Sequence, residues 1–252
     1  MDSENPWNKN AVLGCGNVNI EAYRQYMTAE MLMGPNSVRI LEEMLFKHPL
    51  NLSESDTVLD LGCGKGLTSL VIAKETPAKV YANDLWISAE ENNARFTKWG
   101  IQDRVTASCE DANGLRFEKD KFRAILSVDA YHYFATGKAF FAEKILPFLK
   151  NGAEVLIGIP GIKTAYSGRS EELLSEWLGG EAYMFQSPTA WKEIIGSHHR
   201  IETVDTWEMA CFDPAWSEWF ATGHEFALGD QQFFERLIQP YTCFVGIYIK
   251  IK

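Results

Sequence analysis

Residues 55 to 160 alternate between strand patterns and helix patterns, and this alternation limits the chain to few folds. Three helical runs occur there, LTSLVIAKE, ISAEENNARFTKWG and KAFFAEKILPFLKNG. The apolar runs typical of strands are TVLDLG, KVYAND, VTASCED, AILSVDA and AEVLIGIP. Strands separated by helices form βαβ units, in which each helix returns the chain to the same edge of the sheet and the strands run parallel. The pattern predicts an α/β fold with a mostly parallel sheet.

The segments on either side extend this core. Residues 1 to about 50 are predicted to be helical, because NIEAYRQYMTAEMLM is rich in helix formers and NSVRILEEMLFKH has an apolar face. Gly34-Pro35 separates these two runs as a break signal. RIETVDTWEM and TCFVGIYIKIK alternate like two further strands. We predict a helical N-terminal cap or lid at 1–50 and one domain at 51–252, with a helical insertion at 161–190.

Composition excludes several classes of protein. The chain has 252 residues, of which 46% are hydrophobic and 23% charged, and this suits one large globular domain. Its formal net charge of -10 argues against a nonspecific nucleic-acid binder, which needs a basic surface. The five cysteines lack CxxC spacing, so we expect no metal site and no disulfide framework, and a reduced, cytoplasmic setting fits. No apolar run reaches the roughly 18 residues of a membrane helix, and the polar N-terminus does not read as a secretory signal, so no membrane partner is expected.

The sequence VLDLGCGKG joins a predicted strand to a helix and carries glycine at positions 62, 64 and 66. Glycines at such a turn let the backbone approach a ligand closely. A nucleoside triphosphate calls for GxxxxGK[ST] and a dinucleotide for GxGxxG, and neither spacing is present. Asp60 precedes the loop, and its charge would repel a pyrophosphate but attract a ligand with an ammonium and a sulfonium group. S-adenosylmethionine is such a ligand.

The loop resembles the first motif of class I S-adenosylmethionine-dependent methyltransferases, in which two apolar residues and an acid precede GxGxG. The resemblance implies a Rossmann-like, seven-stranded, mostly parallel sheet with helices on both faces and an antiparallel last strand. It implies S-adenosylmethionine as cofactor. Asp84 is expected to accept both ribose hydroxyls, and Asp111 with Ala112 to meet the adenine. The complete set of predicted cofactor residues in these motifs is Asp60, Gly62, Cys63, Gly64, Gly66, Asp84, Leu85, Asp111, Ala112 and Ser127.

The segment DAYHYF, after the fourth strand of this pattern, is expected to face the transferred methyl group. His132 is a candidate general base because the usual pKa of histidine lies near neutral, and the alternative is a packing or hydrogen-bonding role. Asp129 either holds the His132 ring or faces the other side of the strand end. Tyr23 and Tyr26 lie three residues apart on the N-terminal segment and are predicted to cover the site, Tyr23 among the catalytic groups and Tyr26 against the sulfonium. The alternative for both tyrosines is core packing.

The class of acceptor is only partly constrained. The (D/N/S)-P-P-(Y/F) motif of enzymes that methylate amino groups of nucleic acids is absent, and so is a Pro-Cys pair. With the acidic charge, this favours a small-molecule acceptor methylated on O, N or C, with the insertion at 161–190 covering its pocket. A cofactor-binding protein without transferase activity remains an alternative. A nicotinamide-dependent oxidoreductase is a weaker one, because Leu67 stands where the third dinucleotide glycine would be. The sequence leaves the oligomeric state open.

Overall fold

The fold is built on one seven-stranded sheet. A computed structural model describes residues 18–135 and 137–252, and all statements on the structure concern these residues. The strand order is β3-β2-β1-β4-β5-β7-β6. The strands are β1 Thr57–Leu61, β2 Lys79–Asn83, β3 Val105–Ser108, β4 Phe122–Val128, β5 Leu149–Ile162, β6 Ile201–Glu208 and β7 Thr242–Ile251.

Strands β1 to β5 run parallel to one another, whereas β7 is antiparallel to both β5 and β6. The predicted mostly parallel sheet with an antiparallel last strand is therefore confirmed. The strand order reverses at β1, which pairs with β2 on one side and with β4 on the other. In open α/β sheets, a reversal of this kind leaves a crevice at the carboxyl ends of the strands, and ligands bind there.

Helices cover both faces of the sheet, and none of those described is long and apolar enough to cross a bilayer. The α-helices are α1 Ile20–Tyr23, α2 Ser37–Lys47, α3 Leu67–Glu75, α4 Ala89–Lys98, α5 Ser170–Leu178, α6 Pro188–Ile195, α7 Phe212–Ala221, α8 Glu225–Phe233 and α9 Gln239–Tyr241. Short 3-10 helices occur at Arg24–Tyr26, Ala112–Gly114, Tyr131–Tyr133, Leu146–Phe148, Thr164–Tyr166 and Gly179–Met184, and π-helical turns occur at Phe141–Ile145 and Phe234–Ile238.

Two apolar clusters form the main core, one on each face of the sheet. Because successive side chains of a strand point to opposite faces, Val58 and Leu156 join the cluster under α2, α3 and α7. Their sequence neighbours Leu59 and Val155 join the cluster under α6. All four side chains are essentially inaccessible to solvent. The continuous apolar runs of β1 and β5 therefore reflect burial on both faces.

Two predicted helices have a different form in the structure. The run at 19–33 is not one helix, because α1 and a 3-10 turn end at Tyr26 and bends follow. Its buried residues include Tyr23 and Leu32, which fix the chain by tertiary packing that outweighs helix propensity. The run at 138–152 is helical only to Phe148, since Pro147 cannot continue the helix and β5 begins at Leu149.

Candidate active site

A cavity of about 400 Å³ lies across the carboxyl ends of the central strands. Its walls are the glycine loop after β1, the end of β2, the turn after β3 and the turn after β4. Part of the segment 31–37 before α2 lines it as well. The cavity therefore occupies the crevice that the reversal of strand order creates.

The first two glycines of the loop bring the backbone against the cavity. Gly62 and Gly64 have φ of 77° and 52°, a region that L-residues rarely adopt. A Cβ on Gly62 would lie 2.2 Å from the Cβ of Ala130, so the turn after β4 packs directly on this glycine. A Cβ on Gly64 would meet the sulfur of Met33 at 3.1 Å. Both glycines line the cavity, and their predicted contact with the cofactor stays a prediction.

Gly66 has a different task. It has a φ of 84°, and it precedes α3 as its N-cap. A Cβ there would lie 2.5 Å from Cε1 of Phe96, so the absence of a side chain lets α4 pack on the loop. Gly66 is not among the cavity-lining residues. The prediction that it contacts the cofactor is not supported, because packing accounts for this glycine.

Asp60 stabilises the loop from inside the protein. Its Oδ2 accepts hydrogen bonds of 2.6 Å from the hydroxyls of both Thr68 and Ser69 at the start of α3. Its Oδ1 is buried with no hydrogen-bond partner in the described structure. Burial raises the pKa of this carboxyl to about 6, and the nearby charge of Asp84 adds to the shift. Asp60 does not line the cavity, and its hydrogen bonds hold the end of β1 to the start of α3, so its predicted contact with the ligand stays a prediction.

Asp84 connects the end of β2 to the glycine loop. Its Oδ2 accepts from the Gly64 amide at 2.8 Å, and its Oδ1 accepts from the amides of Trp86 and Ile87 at 2.8 and 3.0 Å. A carboxylate has about four acceptor positions, so three are occupied and one remains on Oδ2. The predicted acceptance of both ribose hydroxyls needs two, and in this arrangement Asp84 can accept one. Leu85, the next residue, lines the cavity and is largely exposed.

The turn after β3 supplies the opposite wall. Oδ1 of Asp111 accepts from the backbone and side-chain amides of Asn113, which lowers the pKa of the Asp111 carboxyl. Ala112 is buried but borders the cavity. The side chain of Asn83 bonds the backbone of Glu110 through both its amide and its carbonyl, and so fixes this turn to the end of β2. Asp111 and Ala112 are thus placed together beside the cavity.

Cys63 and Ser127, two further predicted cofactor residues, lie in different places relative to the cavity. Cys63 borders the cavity, but its sulfur is in contact with the Gly64 carbonyl and the Asn92 amide. Burial raises the pKa of its thiol well above the usual value, so it packs and does not act as a nucleophile. Ser127 is fully buried, does not line the cavity, and donates to the Leu61 carbonyl at 2.7 Å. The predicted cofactor contact of Ser127 is therefore corrected to a bond between β4 and β1.

Asp129 follows β4 directly and presents its carboxylate to the cavity. It adopts a φ of 54°, and its Oδ2 would lie 2.9 Å from a Cβ built on Gly34. The segment before α2 therefore passes directly over this acid. No side-chain hydrogen bond to Asp129 occurs in the described residues. Burial, with a smaller contribution from the charge of Asp230, raises the pKa of Asp129 to about 7.

The covering segment is the stretch 31–37, not the preceding tyrosines. The Lys65 ammonium, in the glycine loop, donates to the Glu30 carbonyl just before it. Near the end of the stretch, the Asn36 side chain donates to Glu218 of α7 at 2.6 Å. Tyr23 is buried with its hydroxyl donating to Glu75, and Tyr26 packs edge-to-face on Trp99. Neither tyrosine lines the cavity, so their predicted contacts with the cofactor and the acceptor are replaced by core packing.

His132 lies behind the cavity wall. Only 2% of its surface is exposed, and its ring packs against Tyr133 and Phe185. Its Nδ1 is buried without a hydrogen-bond partner in the described structure. Burial lowers the pKa of His132 to about 3, so the ring is neutral near pH 7 and is too weak a base for the predicted role. The neighbouring Tyr133 borders the cavity instead.

Sequence reasoning missed several cavity residues. Met33 and Gly34 belong to a run, MLMGPNS, whose pattern indicates only the end of a helix. Trp86 and Tyr133 stand at the cavity with rings 5.3 Å apart and more than 45% of each side chain exposed. The signal for Asp129 was present, since an acid that directly follows a buried parallel strand lies at the edge where ligands bind.

Comparison with known proteins agrees with this geometry. Residues 58–152 match the family model described as a methyltransferase domain. The structure superposes on geranyl diphosphate C-methyltransferase from Streptomyces coelicolor A3(2) with a TM-score of 0.68 and 17% identity, over 85% of this chain and 80% of that one. For a geranyl diphosphate methyltransferase in complex with S-adenosylmethionine the values are 0.68 and 18%, over 95% and 96%.

A third similar structure is phosphoethanolamine N-methyltransferase 2 from Haemonchus contortus, with a TM-score of 0.69 and 20% identity, over 93% of this chain and 56% of that one. At these identities the superpositions show a common fold. The match to a methyltransferase domain is consistent with the order of the strands and with the glycine loop that lines the cavity. Residues 58–152 therefore match a methyltransferase domain, and the fold is shared with known methyltransferases.

Proposed function

We propose that the chain transfers a methyl group from S-adenosylmethionine to a small molecule held in the cavity. The observation that supports this most directly is the order of groups across the sheet edge. Because the strands lie in the order β3-β2-β1-β4, Asp111 and Asp84 lie on one side of the glycine loop and Asp129 lies on the other. One end of the cavity can thus hold a nucleoside, and the other can hold the group that accepts the methyl.

The residues present fit the cofactor. Asp84 keeps one acceptor position for a ribose hydroxyl, and Asp111 and Ala112 offer a polar and an apolar edge to a purine. The backbone at Gly62 and Gly64 has no side chain to block the amino-acid end. When bound, S-adenosylmethionine supplies an electrophilic methyl group on a sulfonium. The protein supplies position and exclusion of water, because methyl transfer is an in-line displacement that depends mainly on orientation.

A small acceptor fits the covered shape of this site. The segment 31–37 lines the cavity and is bonded to the glycine loop and to α7, which narrows the access to the cavity and favours a small acceptor. The names of the similar proteins also indicate small-molecule substrates, geranyl diphosphate for one and phosphoethanolamine for another. As part of the same proposal, residues 1–50 act as the cap and 161–190 close the acceptor side. Residues 1–17 of that cap lie outside the described structure.

A cytoplasmic location belongs to the proposal as well. The four cysteines of the described residues, Cys63, Cys109, Cys211 and Cys243, are free thiols, which suits a reducing compartment. Fractionation of cells with an antibody against the protein would test this. Recovery of the protein in the culture medium or in a membrane pellet would contradict it.

Calorimetry and product analysis test the function itself. We expect the purified protein to bind S-adenosylmethionine and S-adenosylhomocysteine, and to show no heat with NAD, since Leu67 replaces the third dinucleotide glycine. With a metabolite extract, S-adenosylhomocysteine should accumulate and one metabolite should gain a methyl group. Binding without accumulation in any extract would favour a cofactor-binding protein over an enzyme. Absence of binding would refute the proposal as a whole.

A further inference from the structure

The charge of the cavity wall constrains what the acceptor can be. Four carboxylates line the cavity, those of Asp84, Glu110, Asp111 and Asp129. Lys65 is the sole basic residue that lines it within residues 18–135 and 137–252, and its ammonium is bonded to a backbone carbonyl. A phosphate-bearing acceptor needs arginine or lysine to compensate its charge. The wall described here would repel one.

Three of the four acids have partners or tasks. Asp84 holds the glycine loop, Glu110 pairs with Arg116 at 3.3 Å, and Asp111 caps the turn that follows it. Asp129 has no such partner among the described residues, although it is partly buried and Gly34 of the segment before α2 lies close to its Oδ2. Buried charges in proteins are paired or neutralised. The Asp129 carboxylate is therefore an unpaired acceptor that faces the ligand.

The surroundings of Asp129 add negative charge and aromatic rings. Asp230 on α8 contributes electrostatically to the shift of Asp129, and it is itself held by the indole N–H groups of Trp177 and Trp219 at 2.9 and 3.5 Å. Trp177 packs on Phe185, which in turn lies against the His132 ring. The cavity itself is lined by the rings of Trp86, Tyr133 and Phe134, and the lysine that lines it is already bonded to a carbonyl. Such a set of carboxylates and rings is suited to a cationic group.

We propose that the acceptor is a basic amine, and that Asp129 is the residue that pairs with its nitrogen. This deepens the proposed function and rests on it. In the reaction the bound ammonium would first give a proton to Asp129, which frees the nitrogen lone pair. That lone pair would then form the new bond to the methyl carbon, while sulfur keeps the electron pair of the bond that breaks. The methylated nitrogen is again cationic, and Asp129 releases its proton to solvent and pairs with it. Asp129 thus acts as the base that frees the lone pair and as the partner of the cationic nitrogen.

A hydroxyl acceptor with Asp129 as base is the competing possibility. It would leave the acids of this region uncompensated, because a neutral hydroxyl carries no charge to set against Asp129 and Asp230. The acceptor's behaviour on ion exchange separates the two. A metabolite extract is divided at pH 7 into fractions retained by a cation exchanger, retained by an anion exchanger, or retained by neither. Each fraction is incubated with enzyme and cofactor, and S-adenosylhomocysteine is measured.

We expect product only with the cation-retained fraction. Product only with the other fractions would overturn the amine inference, while the proposed methyltransferase function would stand. If no fraction gives product, the proposed function fails, and the inference fails with it. Binding of S-adenosylhomocysteine, measured separately by calorimetry, shows in each case whether the protein is folded and able to hold the cofactor.

Asp129→Asn removes the charge and keeps the shape. With the active fraction we expect product formation to fall by roughly 30-fold or more, as for loss of one partner of a buried charge pair. Affinity for S-adenosylhomocysteine should stay within about threefold, since the charge lost does not hold the nucleoside. Asp103→Asn, an exposed residue in the turn before β3, is the matched control and should behave as wild type. Turnover of Asp129→Asn close to wild type would refute the role of Asp129.

A binding readout independent of turnover completes the test. The acceptor is purified from the active fraction and titrated by calorimetry into protein saturated with S-adenosylhomocysteine. Wild type and Asp103→Asn should bind it, and Asp129→Asn should bind it at least tenfold more weakly. Equal affinity of all three proteins would contradict the pairing of Asp129 with the amine.

The pH dependence gives a second, independent measurement. Asp230 on α8 acts electrostatically on Asp129, and Asp129, Glu181 in the helix at 179–184 and Asp230 all act on Tyr133, which lines the same cavity. His132 is neutral near pH 7 and contributes no charge. Asp230→Asn removes a like charge, so the rise of kcat/KM with pH should move to lower pH. A rise that stays in place, or moves upward, would show that Asp129 does not govern it.

Discussion

Gly66→Ala tests whether this glycine serves packing and not binding. At a φ of 84° an alanine is strained by roughly 1–2 kcal/mol. Its Cβ would also stand 2.5 Å and 2.9 Å from Cε1 and Cζ of Phe96, which are held in the core, and overpacking of this kind costs roughly 1–3 kcal/mol. The free energy of unfolding should therefore fall by about 2–5 kcal/mol, a large part of the stability of a typical domain.

Urea denaturation followed by tryptophan fluorescence measures this loss. Gly100→Ala is the matched control, because Gly100 has a φ of 68° and a Cβ added there would meet no atom within 4 Å, so this variant carries the backbone strain alone. The difference between the two variants isolates the contact with Phe96. Adding Phe96→Leu to Gly66→Ala removes the two ring atoms and should make the double variant more stable than the sum of the single effects.

Gly64→Ala should reduce cofactor affinity more than it reduces the free energy of unfolding. Its Cβ would meet only the flexible end of Met33, so stability should fall by about the 1–2 kcal/mol of backbone strain, as in Gly100→Ala. Affinity for S-adenosylhomocysteine should fall by at least roughly tenfold, since the new methyl group faces the cavity. The reasoning is refuted if Gly66→Ala is no less stable than Gly100→Ala, or if Gly64→Ala binds as wild type does.

Three further perturbations follow from the buried polar groups. Asp84→Asn keeps one oxygen for the amides of Trp86 and Ile87 but places an NH2 group against the Gly64 N–H. The free energy of unfolding, measured by urea denaturation, should therefore drop by roughly 1.5–3 kcal/mol, and cofactor affinity should fall as well. An unchanged urea midpoint would contradict the hydrogen bonds described for Asp84. The pKa of Asp60 is raised from 3.8 to about 6, so the folded state binds the Asp60 proton more tightly than the unfolded state, and the contribution of Asp60 to stability falls as pH rises from 4 to 6. In urea denaturation across that pH range, the free energy of unfolding should fall less steeply with pH for Asp60→Asn than for wild type. Equal slopes for the two proteins would contradict the raised pKa. His132→Gln should leave the pH profile of methyl transfer between pH 6 and 8 unchanged, because the ring is already neutral there.

The sheet and the cavity position follow from local sequence patterns. Parallel strands that are buried on both faces can be recognised in the sequence as short apolar runs, and a glycine-rich turn after β1 indicates the sheet edge where ligands bind. The GxGxG spacing, however, does not predict which of the three glycines borders the cavity and which allows a helix to pack on the loop. Whether a glycine meets a ligand or a neighbouring helix depends on residues distant in sequence, such as Phe96 for Gly66 and Ala130 for Gly62.

The catalytic side was harder to predict, because it depends on the direction of side chains at a strand end. Asp129 and His132 lie three residues apart in DAYHYF, and residue type alone favoured the histidine. Asp129 has a positive φ and lines the cavity, whereas in the short 3-10 helix that follows Tyr133 lines the cavity and His132 is buried. Tyr23 and Tyr26 share a helix-like spacing, but the cap turns at Tyr26, and the two rings contact different parts of the core.

The position of β7 between β5 and β6 has a consequence for synthesis on the ribosome. Both partners of β7 precede it in the chain, and β6 ends roughly 30 residues before β7 begins. At about 5–20 residues per second, β6 waits roughly two to six seconds with neither of its edges paired in this sheet. Unpaired strand edges template aggregation. Slow codons between positions 208 and 242 should therefore lower the yield of native protein, and chaperones that shelter nascent strands should restore it.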